Sequence, residues 1–166
     1  MSDVTTDPYA LARDAADRLR ETTGTETHEV ALVMGSGWVP AAEMLGETAA
    51  ELPVTDLPGF HGAAVAGHAG TVRSVVVGDR RALVFLGRTH LYEGRGVASV
   101  VHGVRTAVAA GARVVVLTNG CGGLRPTFAP GQPVLISDHI NLTTTSPIVG
   151  ATFVDLTDLY SPRLRA

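Results

Sequence analysis

Three apolar runs of strand length each end abruptly in a glycine-rich polar loop, and that repeated boundary limits the folds open to the chain. Glu29-Val30-Ala31-Leu32-Val33-Met34 runs into Gly35-Ser36-Gly37, and Arg81 to Leu86 runs into Gly87-Arg88-Thr89-His90-Leu91-Tyr92-Glu93-Gly94. Arg113-Val114-Val115-Val116-Leu117-Thr118 runs into Asn119-Gly120-Cys121-Gly122-Gly123-Leu124. The last run is β-branched and continuous, as expected in a sheet covered on both faces. Strand–helix–strand alternation predicts an α/β fold with a mixed, mostly parallel central sheet flanked by helices. In such sheets ligands gather beyond the carboxyl ends of strands, so the three loops are expected along one edge.

The other elements are predicted from periodicity and turn chemistry. Asp7-Pro8 starts a helix, with Tyr9, Ala12, Ala15, Ala16 and Leu19 on one face and a stop at Gly24. A short helix is expected from Pro40 to Leu45. The proline- and glycine-rich stretch from Leu52 to Gly70 reads as loop. Thr71 to Val77, Gly78-Asp79 and Arg81 to Leu86 form a hairpin signal. Val97, Val100, Val101, Val104 and Val108 make a helical stripe that closes at Gly111. Val134-Leu135-Ile136-Ser137 reads as a further strand. With no repeat, low-complexity tract or dividing linker, residues 1–166 are expected to form a single domain.

Chemistry concentrates in the loops. Arg88 offers a planar fork matched to phosphate oxygens, and His90, two residues on in an extended chain, points the same way. A solvated turn whose charges pair with one another is the alternative. Gly35-Ser36-Gly37 lacks the Lys of a Walker A loop, and Pro40 stands where a dinucleotide fingerprint needs its third glycine. It reads as an anion-binding turn with Ser36 as hydroxyl donor, or as a plain tight turn. His68 sits among small residues in Ala66-Gly67-His68-Ala69-Gly70 and is open to a ligand, whereas His61 reads as a solvated loop histidine and His102 as structural. A zinc site is not supported, since no helix sets two His one turn apart and Cys121 is the sole cysteine. Nothing near Cys121 in sequence looks like an activating base, so it reads as a small pocket-lining residue. Together the loops bring Ser36, Arg88, His90 and two glycine nests to one edge, a set suited to an oxyanion, most simply phosphate.

Composition narrows the partners. The chain has 166 residues, 45% hydrophobic and 17% charged, with a net charge of −3, so nothing suggests nucleic acid. The N-terminus has no basic region followed by an apolar one, and no run approaches membrane-spanning length. A soluble cytoplasmic protein with no membrane association is expected.

Five segments in order and register, together covering nearly the whole chain, resemble the trimeric class of purine nucleoside phosphorylases. They are Val33-Met34-Gly35-Ser36-Gly37, Gly67-His68-Ala69-Gly70, Gly87 to Gly94, Thr118 to Leu124 and Asp138-His139-Ile140-Asn141-Leu142. The resemblance implies that phosphate attacks the anomeric carbon of a purine (deoxy)ribonucleoside, giving free base and (deoxy)ribose 1-phosphate in purine salvage. It assigns phosphate to Ser36, His68, Arg88, Thr89, His90 and the Gly120 N–H, with Arg88 and His90 as the catalytic pair. It assigns the nucleoside to Tyr92, Asn119, Cys121, Gly122 and Phe153. Phe153 would reach a neighbouring subunit's site in a homotrimer. No cofactor is implied beyond phosphate as co-substrate. The family's chains continue past this point and carry their purine-reading Glu and Asn there, so the chain is expected to be the N-terminal portion of the domain. It is expected to hold the phosphate half of the site and not to turn over alone. A methylthioadenosine phosphorylase of the same fold and an inactive oxyanion-binding fragment are the alternatives.

Overall fold

The computed structural model describes residues 7–35, 37–62 and 70–166. It divides into two compact units, Met1–Gly120 and Cys121–Ala166. The first contains α1 (Pro8–Thr23), β1 (Val30–Met34), α2 (Val39–Ala42), β2 (Glu47–Pro53), β3 (Thr71–Val77), β4 (Arg80–Leu86), α3 (Gly96–Val100), α4 (His102–Ala109) and β5 (Val114–Leu117). The five strands form one sheet in the order β2-β3-β4-β1-β5. β1 is parallel to β4 and β5, while β2–β3 and β3–β4 pair antiparallel. The sheet is mixed and flanked by helices, as expected.

Period-two alternation sorts the side chains. Ala31 and Val33 of β1, Val72 of β3, and Leu83 and Phe85 of β4 join Ala15, Ala16 and Leu19 of α1 and Ala107 of α4 in the main core. On the opposite face Met34, Val75 and Val84 pack with Ala42 of α2 and with partly buried Leu32, Leu45 and Leu86. α1 begins as anticipated, with the Asp7 carboxylate accepting from the Tyr9 and Ala10 amides at 3.0 and 3.2 Å. It ends at Gly24 in the left-handed region, φ 63°. The β3–β4 turn is Gly78-Asp79, with Gly78 at φ 60°, as a two-residue hairpin turn led by glycine requires.

Three expectations are corrected, and one strand was not expected. β2 occupies a stretch whose glutamates, alanines and proline give no strand signal, and it is held by its ladder to β3 and by Arg73, which pairs with Glu43 and Glu51. The single helix over 97–111 is two, broken at Val101. Its valine stripe is not the buried face: Val108 is 57% exposed, while His102, Thr106, Ala107 and Ala110 are buried. Small side chains win because they let α4 lie close against the alanine face of α1. Among the described residues β5 is an edge strand bonded only to β1, with Val116 and Leu117 exposed, so it is not covered on both faces in this unit. Val134–Ser137 is not a strand, because no neighbouring strand offers its backbone a ladder among the described residues.

The second unit has one short helix, α5 (Pro162–Arg165), and is otherwise held by local turns. Asn141 Oδ1 accepts from the amide and hydroxyl of Thr143 at 2.9 and 2.7 Å. Tyr160 Oη lies 3.0 Å from His139 Nδ1. Val134, Leu135, Ile140, Leu142 and Phe153 are all exposed, so Phe153 is one of several such residues.

A histidine–serine pair lies buried inside the first unit. His28 is fully buried, its Nε2 is 2.9 Å from Ser74 Oγ, and its Nδ1 has no partner among the described residues. Burial, aided by the nearby Arg81 and Arg20 charges, pulls its pKa down to about 4. The unfolded chain therefore takes up a proton near pH 6.5 that the folded chain refuses until about pH 4. The stabilisation is complete above pH 6.5 and is lost as pH falls through that window, on the order of 3 kcal/mol in all. His102, lowered chiefly by burial, adds a slope of the same sign. Urea unfolding followed by the fluorescence of the single tryptophan should show a falling midpoint between pH 6.5 and 4, flattened but not abolished in His28→Asn.

Candidate active site

The two parallel ladders fix where the loops emerge. Met34 of β1 lies opposite Leu86 of β4, and Val33 opposite Leu117 of β5, so all three carboxyl ends reach one edge. β3 runs the other way and starts at Thr71 opposite Leu86, which brings the end of the preceding loop to the same edge. A Cβ on Gly87 would lie 3.9 Å from Gly70 Cα. Ser36 and His68 lie outside the described residues.

At this edge Gly35, Arg88 and Thr118 touch. Arg88 Nη1 donates to the Thr118 carbonyl at 3.0 Å. The Thr118 hydroxyl accepts the Gly35 amide at 2.8 Å and donates to the Val33 carbonyl at 3.0 Å. Gly35 carries no side chain for a steric reason: a Cβ there would collide with Arg88 Nη1 and lie 2.9 Å from the Thr118 carbonyl oxygen. Its amide is taken by the Thr118 hydroxyl and is not free for an anion. Arg88 is exposed, and among the described residues it uses one of five guanidinium donors, on Thr118, leaving a fork for an anion. Trp38 closes the group from the other side, its indole N–H donating to the Asn119 carbonyl at 3.3 Å.

The remainder of the 87–94 loop is a turn built on Glu93. One Glu93 oxygen accepts the His90 amide at 2.7 Å, and the other lies 3.5 Å from Arg95 Nε. The Glu93 side chain is 8% exposed, so this carboxylate is a structural anchor rather than a solvated charge. Gly94 then closes the turn at φ 74°. The turn holds the His90 and Tyr92 rings stacked, 5.0 Å between centroids, with Tyr92 77% exposed. Thr89 is half-buried beside Arg88, and Asn119 and Gly120 are exposed at the end of β5. Cys121, Gly122 and Phe153 are exposed residues of the second unit.

Sequence reading missed Thr118, Glu93 and Trp38 as organisers. Glu93 carried a signal, since it stands three residues after His90 at capping-box spacing. Thr118 carried none, because a β-branched residue closing a strand looks like any other.

A model of the phosphorylase superfamily matches residues 29–166. The chain belongs to the phosphorylase superfamily. Among its relatives, a purine nucleoside phosphorylase of Cellulomonas sp. is 58% identical over 99% of this chain and 60% of its own length. The purine nucleoside phosphorylase of Mycobacterium tuberculosis is 56% identical over 99% of this chain and 62% of its own. Isoform 2 of the Schistosoma mansoni purine nucleoside phosphorylase, solved with cytosine and ribose-1-phosphate, superposes with a TM-score of 0.82 at 29% identity. That match covers 96% of this chain and 60% of the solved one. The chain therefore spans about three-fifths of the length of these superfamily members.

The Gly35 contacts give a direct check. Gly35→Ala should drive Arg88 off the Thr118 carbonyl and destabilise the first unit by about 1–3 kcal/mol. An unchanged urea midpoint would contradict this packing.

Proposed function

We propose that this chain contributes the phosphate-binding part of a purine nucleoside phosphorylase, which converts a purine (deoxy)ribonucleoside and phosphate into free base and (deoxy)ribose 1-phosphate. The observation that carries the reading is the cluster at the carboxyl ends of β1, β4 and β5, where an exposed arginine is anchored, among the described residues, through Nη1 beside a glycine turn. A guanidinium held this way is preorganised for a dianion, and holding phosphate fixes both the nucleophile and its charge. The dianion would also stabilise the positive charge that develops on the sugar as the bond to the base breaks.

Arg88 and His90 are assigned as the catalytic pair, and Ser36, His68, Thr89 and the Gly120 N–H as their partners around phosphate. Tyr92 and Asn119 are assigned to the nucleoside, as are Cys121, Gly122 and Phe153. Phosphate is the co-substrate, and no further cofactor is invoked. Residues 1–166 are read as the N-terminal portion of one phosphorylase domain; the family match over residues 29–166 supports the phosphorylase part of that reading. The working assembly is a homotrimer in which Phe153 serves the neighbouring site, and the setting is cytoplasmic purine salvage. The relatives' names support the reaction and leave the trimer to be measured.

Hypoxanthine release from inosine by the protein that carries this chain tests the reading. Release should require phosphate, and Arg88→Ala should lower kcat/KM by about 100-fold or more. Release that proceeds equally without phosphate, or that survives Arg88→Ala, would refute it.

A further inference from the structure

We infer that Thr118 is a positioning residue of the phosphate site: its hydroxyl fixes the Gly35 turn while its carbonyl fixes Arg88. The inference rests on the phosphate reading above and adds to it a residue that acts through Gly35 and Arg88. Thr118 stands where the three loops meet. Its hydroxyl accepts from the Gly35 amide at 2.8 Å and donates to the Val33 carbonyl at 3.0 Å. Its carbonyl takes Arg88 Nη1 at 3.0 Å. One residue thus ties the loop after β1 and the loop after β4 to the end of β5. A group held by such a tie loses less freedom when an anion arrives, which is how a supporting residue strengthens binding without touching the ligand.

The geometry separates this role from a general structural one. Thr118 N–H donates independently to the same Val33 carbonyl at 3.0 Å, which continues the β1–β5 pairing. Thr118→Val matches threonine in shape and keeps that backbone bond. It loses only the hydroxyl bridge, leaving the Gly35 amide without its acceptor. Thr118→Ser keeps the bridge.

Calorimetric titration of the chain with inorganic phosphate, for the unsubstituted protein, Thr118→Ser and Thr118→Val, tests the inference. The expected result is a Kd about tenfold weaker in Thr118→Val, equivalent to about 1.4 kcal/mol, with Thr118→Ser within about twofold of the unsubstituted chain. Saturable phosphate binding that is equal in all three proteins would overturn the inference and leave the phosphate reading standing. Equal weakening in Thr118→Ser and Thr118→Val would also overturn it, since the hydroxyl would not be the cause. No saturable binding by the unsubstituted chain would overturn the phosphate reading and this inference with it. Should Thr118→Val fail to fold, amide exchange of the unsubstituted chain decides. Slow exchange at Gly35 supports the tie, and exchange at the rate of a free amide overturns it.

Discussion

The parallel pairing of β1 with β4 on one side and β5 on the other sets where Gly35, Arg88 and Thr118 can be. Parallel strands end on the same side, so three loops far apart in sequence emerge together. The antiparallel β3 adds its N-terminal end to that edge. None of this requires the loops to attract one another. The ladder spacing brings them near, and hydrogen bonds from the Arg88 guanidinium, the Gly35 amide and the Thr118 hydroxyl then set their final positions.

Burial supports the same arrangement from beneath. The alanine faces of α1 and α4 lie on one side of the sheet, and Leu83, Phe85, Val72 and Val33 fill the space between. Phe60 stacks on Phe85 at 6.0 Å and meets the His102 ring edge-on at 4.6 Å, which ties the loop after β2 to the core. His102 Nε2 lies 2.9 Å from the Pro58 carbonyl, so this buried histidine is satisfied by backbone and serves the fold. His28 with Ser74 is a second buried polar pair and also serves the fold rather than the site.

Much of this was legible because it depends on local chemistry. Continuous apolar runs gave β1 and β4, Thr71 to Val77 with Gly78-Asp79 gave the hairpin, and Asp7-Pro8 with Gly24 gave both ends of α1. The loops stood out because polar and glycine residues follow apolar runs without transition. What could not be read was set by partners distant in sequence. β2 has exposed glutamates and only Leu52 buried, and exists because β3 offers it a ladder. The valines of 97–108 formed the more hydrophobic stripe, yet the face with small residues was buried, because close approach to α1 outweighed the area a valine would cover. The 134–137 run has strand composition and no ladder in the described structure. At the site, the arginine was identifiable from its type and neighbours, while its anchor on the Thr118 carbonyl was not, since a main-chain acceptor has no sequence signature.

The most direct test of the oxyanion site is a crystal structure of the chain grown with inorganic phosphate. Tetrahedral density within hydrogen-bonding distance of the Arg88 guanidinium, beside the Gly35–Gly37 turn, is the expected result. Density for Arg88 resting on Thr118 with phosphate bound elsewhere, or absent at saturating concentration, would contradict it.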